Sequence, residues 1–135
     1  MSDQPTNYIA WLAKARNDIL TIENNIAGSR VPWDAVCFHA QQAAEKTLKA
    51  FLIFHGRVVA RTHDLVALLS ACAQIDPMLA GCEHDCQELN SYAVSARYPD
   101  DLFEPGEKDG NAMIAAVRRV RAEVLSRLPA EADQE

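Results

Sequence analysis

The sequence predicts an all-α protein, an antiparallel up-down bundle of four to five helices. Apolar residues recur at the three- and four-residue spacing of a helix along nearly the whole chain, and no segment shows the alternation typical of a strand. Glycine and proline separate the periodic segments at short intervals. Short connections between such segments favour antiparallel neighbours in a bundle.

Length and composition bound the domain organisation. The chain has 135 residues, of which 49% are apolar, and this is enough for one globular domain. We expect a core over about residues 7–128 and an acidic tail over 129–135. The net charge of −6 argues against a broad nucleic-acid-coating surface but leaves room for a small basic pocket.

Targeting and cofactor signals are missing from the sequence. No apolar run reaches the roughly 18 residues of a membrane span, and "MSDQPTNYIA" does not resemble a secretory signal. The sequence contains no P-loop, dinucleotide glycine motif or HExxH. A cytoplasmic location is therefore expected, with no membrane contact and no cofactor.

The first two helices are predicted over about residues 7–26 and 32–55, with Gly56 as a left-handed stop. The apolar arc of the second helix is small at its centre, at Ala40, Ala43 and Ala44. Small residues permit close approach of another helix, which belongs either to a second copy in a homodimer or to the same chain. The opposite arc is typical of a solvated face and contains His39, Gln42, Glu45, Lys46 and Lys49.

Three further helices follow. The third spans about Asp64 to Gln74 with Thr62 as its N-cap, and Asp76-Pro77 ends it and begins the fourth. Pro99 places the end of the fourth near Arg97. The last spans about residues 109–128, with an inward stripe of Met113, Ala116, Val117, Val120, Val124 and Leu128.

The segment "CEHDC" suggests a zinc site at first sight. Cys82, Cys86 and Leu89 instead fall on one helical face, from which His84 points away. We therefore interpret the cysteines as core thiols rather than metal ligands, and predict no metal site.

Two polar clusters flank the third and fourth helices. In "RTHD", capping of a helix competes with an anion contact in which His63 takes part. In "ARYPDD", Arg97 either complements a helix C-terminus or presents its guanidinium to a phosphate beside Tyr98. The basic string "RRVR" is interpreted as a solvated patch in which Arg119 faces solvent.

Three ordered motifs resemble the HEPN family, over roughly residues 8–127. They are the helix "QQAAEKTLKA", the later start "HDL" and the segment "ARYP". The resemblance implies a homodimeric helical bundle. It also implies nucleotide or RNA binding and pairing with a minimal nucleotidyltransferase, in a toxin–antitoxin-like system.

The ribonuclease branch of that family carries an arginine followed four to six residues later by histidine. Arg97 matches this arginine, but "YPDDLFEPG" contains no histidine. RNA cleavage needs a group that exchanges protons near neutral pH, which is the role of histidine. Arg57 and His63 have a compatible spacing but lie in a different segment. The missing histidine argues against an enzyme without excluding one, and the catalytic candidates are Arg97, His63 and Asp100.

These observations give a candidate nucleotide- or RNA-binding groove, which a dimer would extend. Its residues are Lys46, Lys49, His63, Arg97, Tyr98 and Asp100. Two alternatives remain: a metal-independent endoribonuclease that uses Arg97 with a histidine from elsewhere, and a purely structural dimerisation module.

Overall fold

A computed structural model describes residues 4–59, 61–95 and 104–129. All regular structure in these residues is helical, which confirms the all-α prediction. The elements are α1 (Gln4–Ile26), α2 (Trp33–Phe54), α3 (Leu65–Ile75), a 3-10 helix (Pro77–Cys82), α4 (Glu83–Ser95) and α5 (Glu107–Leu125). No helix in the described segments is both long and apolar enough to cross a membrane.

Helix α2 is the centre of the bundle and contacts each of the other four α-helices. Ala40, Ala43 and Ala44 are fully buried inside a single chain. The small arc of α2 therefore serves packing between helices of one chain. It is not an exposed face for a second copy, so the alanines give no support to a homodimer.

The end of α2 follows the predicted geometry. Gly56 has φ 72°, a left-handed conformation that glycine adopts without a steric penalty. The Gly56 N–H donates to the Ile53 carbonyl at 2.9 Å, and the Arg57 N–H donates to the Leu52 carbonyl at 2.9 Å. The chain leaves α2 in a tight turn and runs back toward the middle of that helix.

The start of α3 corrects one prediction, because Asp64 and not Thr62 is the N-cap. Asp64 Oδ1 accepts hydrogen bonds from the Val66 and Ala67 N–H groups, at 3.0 and 3.3 Å. Thr62 lies two residues before this N-cap, and its Oγ1 accepts a hydrogen bond from the Asp64 N–H at 3.1 Å. A carboxylate directly before the first turn reaches both free amides, whereas residue 62 is too early to do so.

The fourth predicted helix begins as a 3-10 turn. Pro77 opens this turn after Asp76, whose side chain accepts from the Met78 N–H at 3.1 Å. Regular α-helix starts at Glu83. The predicted end of this helix near Arg97 lies outside the described residues.

Helix α5 closes the bundle against α2. Its predicted inward stripe is buried, including Leu128, which follows the end of the helix. Near its first turn, Gly110 is buried against Trp33 at the start of α2. A Cβ at residue 110 would lie 2.2 Å from Cε3 of Trp33, so a side chain here would displace the indole.

The cysteines occupy the core, as predicted. Cys37, Cys72, Cys82 and Cys86 are buried free thiols. Burial raises the pKa of Cys72 and of Cys86 to about 12, so both are neutral at physiological pH. The described part of the chain contains no group of three or more His, Cys, Asp or Glu side chains arranged to hold a metal ion.

Candidate nucleotide-binding site

The polar arc of α2 is not the solvated face that its sequence predicts. We call it the α2 polar face, and it comprises His39, Gln41, Gln42, Glu45, Lys46 and Lys49. Glu45 and Lys49 are only 4% and 7% exposed. The connection before α3 folds back over Glu45, and Trp11 of α1 lies against Lys49, with Nζ 5.6 Å from the ring centre. The residues that cover Glu45 and Lys49 are far from α2 in the sequence, so the helical wheel of α2 alone could not reveal this burial.

Glu45 is the hub of the first polar cluster. Lys49 Nζ donates to Glu45 Oε2 at 2.8 Å, and His63 Nδ1 lies 3.0 Å from Glu45 Oε1. Burial alone would raise the pKa of Glu45, but the hydrogen bonds from Lys49 and His63 prevail and lower this pKa below its usual value. Glu45 is therefore an ionised, fully partnered carboxylate inside the fold.

His63 is positioned by this carboxylate but remains accessible. Its side chain is 63% exposed, although Nδ1 contacts the buried Glu45. Gln41 Nε2 also donates to the His63 carbonyl at 3.1 Å, so both the ring and the backbone of His63 are tied to α2. A carboxylate partner at Nδ1 favours a proton on that nitrogen and leaves Nε2 for a ligand.

The amides at the start of α3 are already occupied. The Leu65 N–H donates to Asn90 Oδ1 at 2.9 Å, while the Val66 and Ala67 N–H groups donate to Asp64. An anion would find these donors satisfied. Of the two interpretations of "RTHD", the structure therefore supports capping at the backbone and leaves the His63 ring as the accessible group.

Asn90 joins α4 to the segment that carries His63. Its Oδ1 accepts the hydrogen bond from the Leu65 N–H, and its Nδ2 donates to Asp64 Oδ1 at 2.8 Å. This hydrogen bond from Asn90 is the main reason that the pKa of Asp64 is lowered. Asn90 precedes Arg97 by seven residues in the sequence. The start of α3 is thus hydrogen-bonded to α4, the helix that precedes "ARYPDD" in the sequence.

A second polar cluster lies between α1 and α2, around Asp18. His39 Nδ1 is 2.8 Å from Asp18 Oδ1, and Lys46 Nζ donates to Asp18 Oδ2 at 2.7 Å. Asp18 is not among the residues predicted from the sequence. A signal was present, because residue 18 lies three positions after Ala15 and four before Ile22, at the edge of the apolar stripe of α1.

The predicted site residues therefore have different placements. The structure joins Lys49 and His63 through Glu45, and it places Lys46 in the separate Asp18 cluster. Both lysines act through ion pairs with buried carboxylates. Arg97, Tyr98 and Asp100 lie outside the described residues.

Arg119 faces solvent, as the basic string predicts, with 59% of its side chain exposed, but it is also part of an ion pair. Its Nε and one terminal nitrogen donate to the Asp85 carboxylate at 3.0 and 2.8 Å. Asp85 is itself buried, and this bidentate pair links α5 to α4. Arg119 is therefore a tertiary contact residue.

The family model described as "HEPN domain" matches residues 8–128, almost the entire chain. No curated protein and no solved structure matches the chain.

Proposed function

We propose that this chain, which belongs to the HEPN family, is a nucleotide- or RNA-binding module. The family supports this class of function in general terms. The observation that carries the proposal is His63, an exposed imidazole whose Nδ1 is held by the buried carboxylate of Glu45. Histidine in this setting offers Nε2 as an acceptor to a ribose hydroxyl or a base amine at little entropic cost, because its ring is already oriented.

The proposed site combines His63 with Arg97, Tyr98 and Asp100. The Asn90–Asp64 bond supports this grouping, because it ties α4 to the residue adjacent to His63. Arg97 would present a planar guanidinium to phosphate oxygens, and Tyr98 would stack on a base. Lys49 acts indirectly by neutralising Glu45, and Lys46 does the same for Asp18.

The proposed partners are a second copy of the chain and a minimal nucleotidyltransferase, in a toxin–antitoxin-like pair. The support for both is the family, since the alanine arc is used within one chain. A purely structural dimerisation module would share these partners but would bind no nucleotide. Co-purification with a nucleotidyltransferase encoded beside the chain, followed by light scattering of the isolated chain, tests the partners separately from the ligand.

The ligand is tested by measuring the affinity of nucleotides and short RNAs for the parent chain and for Arg97→Ala. Loss of a charge-assisted phosphate contact costs about 1.5–3 kcal/mol, which is a tenfold or larger fall in affinity. Arg118→Ala is the matched control, because Arg118 is exposed on α5. Unchanged affinity in Arg97→Ala for every ligand that the parent binds would remove Arg97 from the site.

His63 also supports a second candidate function, a metal-independent endoribonuclease. Its Nε2 could accept the proton of a ribose 2′-OH as that oxygen attacks the adjacent phosphorus, and Arg97 could stabilise the charge that develops. The bond from phosphorus to the 5′-oxygen then breaks, which leaves a 2′,3′-cyclic phosphate, and the departing 5′-oxygen takes up a proton. The test is cleavage of single-stranded RNA in the presence of a chelator. Cleavage that His63→Gln abolishes would establish this activity, whereas binding without cleavage would leave the binding module.

A further inference from the structure

Phe38 is an exposed aromatic side chain on α2, immediately before the α2 polar face begins. Phe38 is 49% exposed. The ring meets His39 edge-on, with centroids 5.3 Å apart and an angle of 80° between the planes. About half of Phe38 is thus accessible beside an imidazole.

Asp18 orients the imidazole of His39. Asp18 is 7% exposed, and its carboxylate accepts hydrogen bonds from His39 Nδ1 and from Lys46 Nζ. The Nδ1 nitrogen of His39 is directed at this carboxylate and donates its hydrogen to Asp18. Its Nε2 is then the nitrogen available to a ligand.

The two polar clusters that α2 forms with its neighbouring segments share the same arrangement. In each cluster a buried carboxylate accepts from a lysine and from histidine Nδ1: Asp18 with Lys46 and His39, and Glu45 with Lys49 and His63. Gln42 lies between them and donates to Gln41 Oε1 at 2.8 Å. Residues 39 and 45 are separated by about 9 Å along the helix axis. This is more than twice the roughly 3.4 Å rise per nucleotide in a helical strand.

We propose that Phe38 and His39 form a second subsite, which binds a further nucleotide of a single-stranded RNA whose neighbouring segment contacts His63. The base would stack on the exposed part of the Phe38 ring, and His39 Nε2 would accept a hydrogen bond from a ribose 2′-OH. Stacking of bases on aromatic side chains is the usual chemistry of single-strand binding. The inference rests on the proposed function and narrows its ligand to an oligonucleotide.

The test compares two probes, adenosine monophosphate and an eight-nucleotide single-stranded RNA, on the parent and on Phe38→Ala and His39→Gln. We expect the parent to prefer the RNA, and Phe38→Ala to lower RNA affinity by about 5- to 150-fold while leaving mononucleotide affinity unchanged. Phe38→Trp should retain RNA affinity, because it keeps a stacking surface. Met78→Ala is the control, since Met78 is exposed on the 3-10 helix, an element without contact to α2.

Different experimental results would contradict the second subsite and the proposed function. Equal affinity of the parent for both probes, or no effect of Phe38→Ala and His39→Gln on RNA, would overturn the second subsite while the proposed function stands. A lower molecular mass in light scattering for Phe38→Ala, with RNA affinity unchanged, would assign Phe38 to a protein interface instead. A parent that binds neither probe would contradict the proposed function itself.

Discussion

His63 Nδ1 lies 3.0 Å from Oε1 of Glu45, a carboxylate on the central helix that is almost completely buried. The two residues are 18 positions apart, and the contact pins the connection before α3 onto the middle of α2. It also produces an unusual combination, because one end of the imidazole is fixed in the interior while most of the ring faces solvent. The stability of the fold and the proposed ligand site therefore depend on the same carboxylate.

Glu45→Gln should destabilise the protein strongly at neutral pH. The substitution leaves Lys49 as a buried cation without its partner, and breaking such a pair costs about 3–5 kcal/mol. Chemical denaturation of the two proteins measures this difference. The double variant Glu45→Leu, Lys49→Met removes both charges and should recover most of the loss. A double variant as unstable as Glu45→Gln would show that the ion pair is not the cause.

The pH dependence of stability should also report on Glu45. Its pKa is lower in the folded than in the unfolded chain, so its contribution is present above the unfolded value near 4.5 and is lost as pH falls through the lower, folded value. The parent should therefore lose more stability than Glu45→Gln on acidification below about pH 4.5. Identical slopes for the two proteins in denaturation series over this range would contradict the assignment.

Asn90 should stabilise the start of α3 through Asp64. Asn90→Ala removes two hydrogen bonds and leaves the Leu65 N–H without an acceptor, at a cost of about 1–3 kcal/mol. Asp64→Ala removes the cap, at about 0.5–2 kcal/mol. Because the two side chains contact each other, the double variant should lose less than the sum of the single losses. Strict additivity would indicate that the Asn90–Asp64 bond carries no energy.

Gly110→Ala should destabilise the bundle, although alanine is the better helix former. The new Cβ would lie 2.2 Å from Trp33 Cε3, and overpacking of this kind costs about 1–3 kcal/mol. In a Trp33→Leu background the clash is reduced, and the same substitution should become neutral or stabilising because glycine is unfavourable in helices by about 1 kcal/mol. Melting temperatures of the four proteins measure this reversal, and a loss that is equal in both backgrounds would exclude the indole contact.

The sequence predicted the helices well because their signal is local. The apolar stripe of α5 and the left-handed stop at Gly56 both depend on near neighbours, and both are confirmed. The cap of α3 shifted from Thr62 to Asp64, because the two residues are both good caps and only the amides that they reach distinguish them. Periodicity of the apolar residues predicts the elements, but it places their ends only to within a few residues.

The candidate site was harder to predict because its contacts are long-range. The charges of Glu45 and Lys49 indicated a solvated face, but Trp11 and His63 cover them from other segments. Asp18 was missed since its partners are 21 and 28 residues away. The ion pair between Arg119 and Asp85 was not predicted, because the two residues are 34 positions apart. In each case the apolar pattern showed which way a helix faces, but not which polar residue lies opposite.

The most direct test of the central claim is an NMR titration of the histidine side chains of the parent chain with single-stranded RNA. The chain has four histidines, and His84 serves as an internal reference because its ring is 80% exposed on α4. We predict that the His63 ring resonances shift as the ligand saturates, while those of His84 stay in place. Saturable RNA binding with no change at His63 would contradict the assignment of this residue to the binding site.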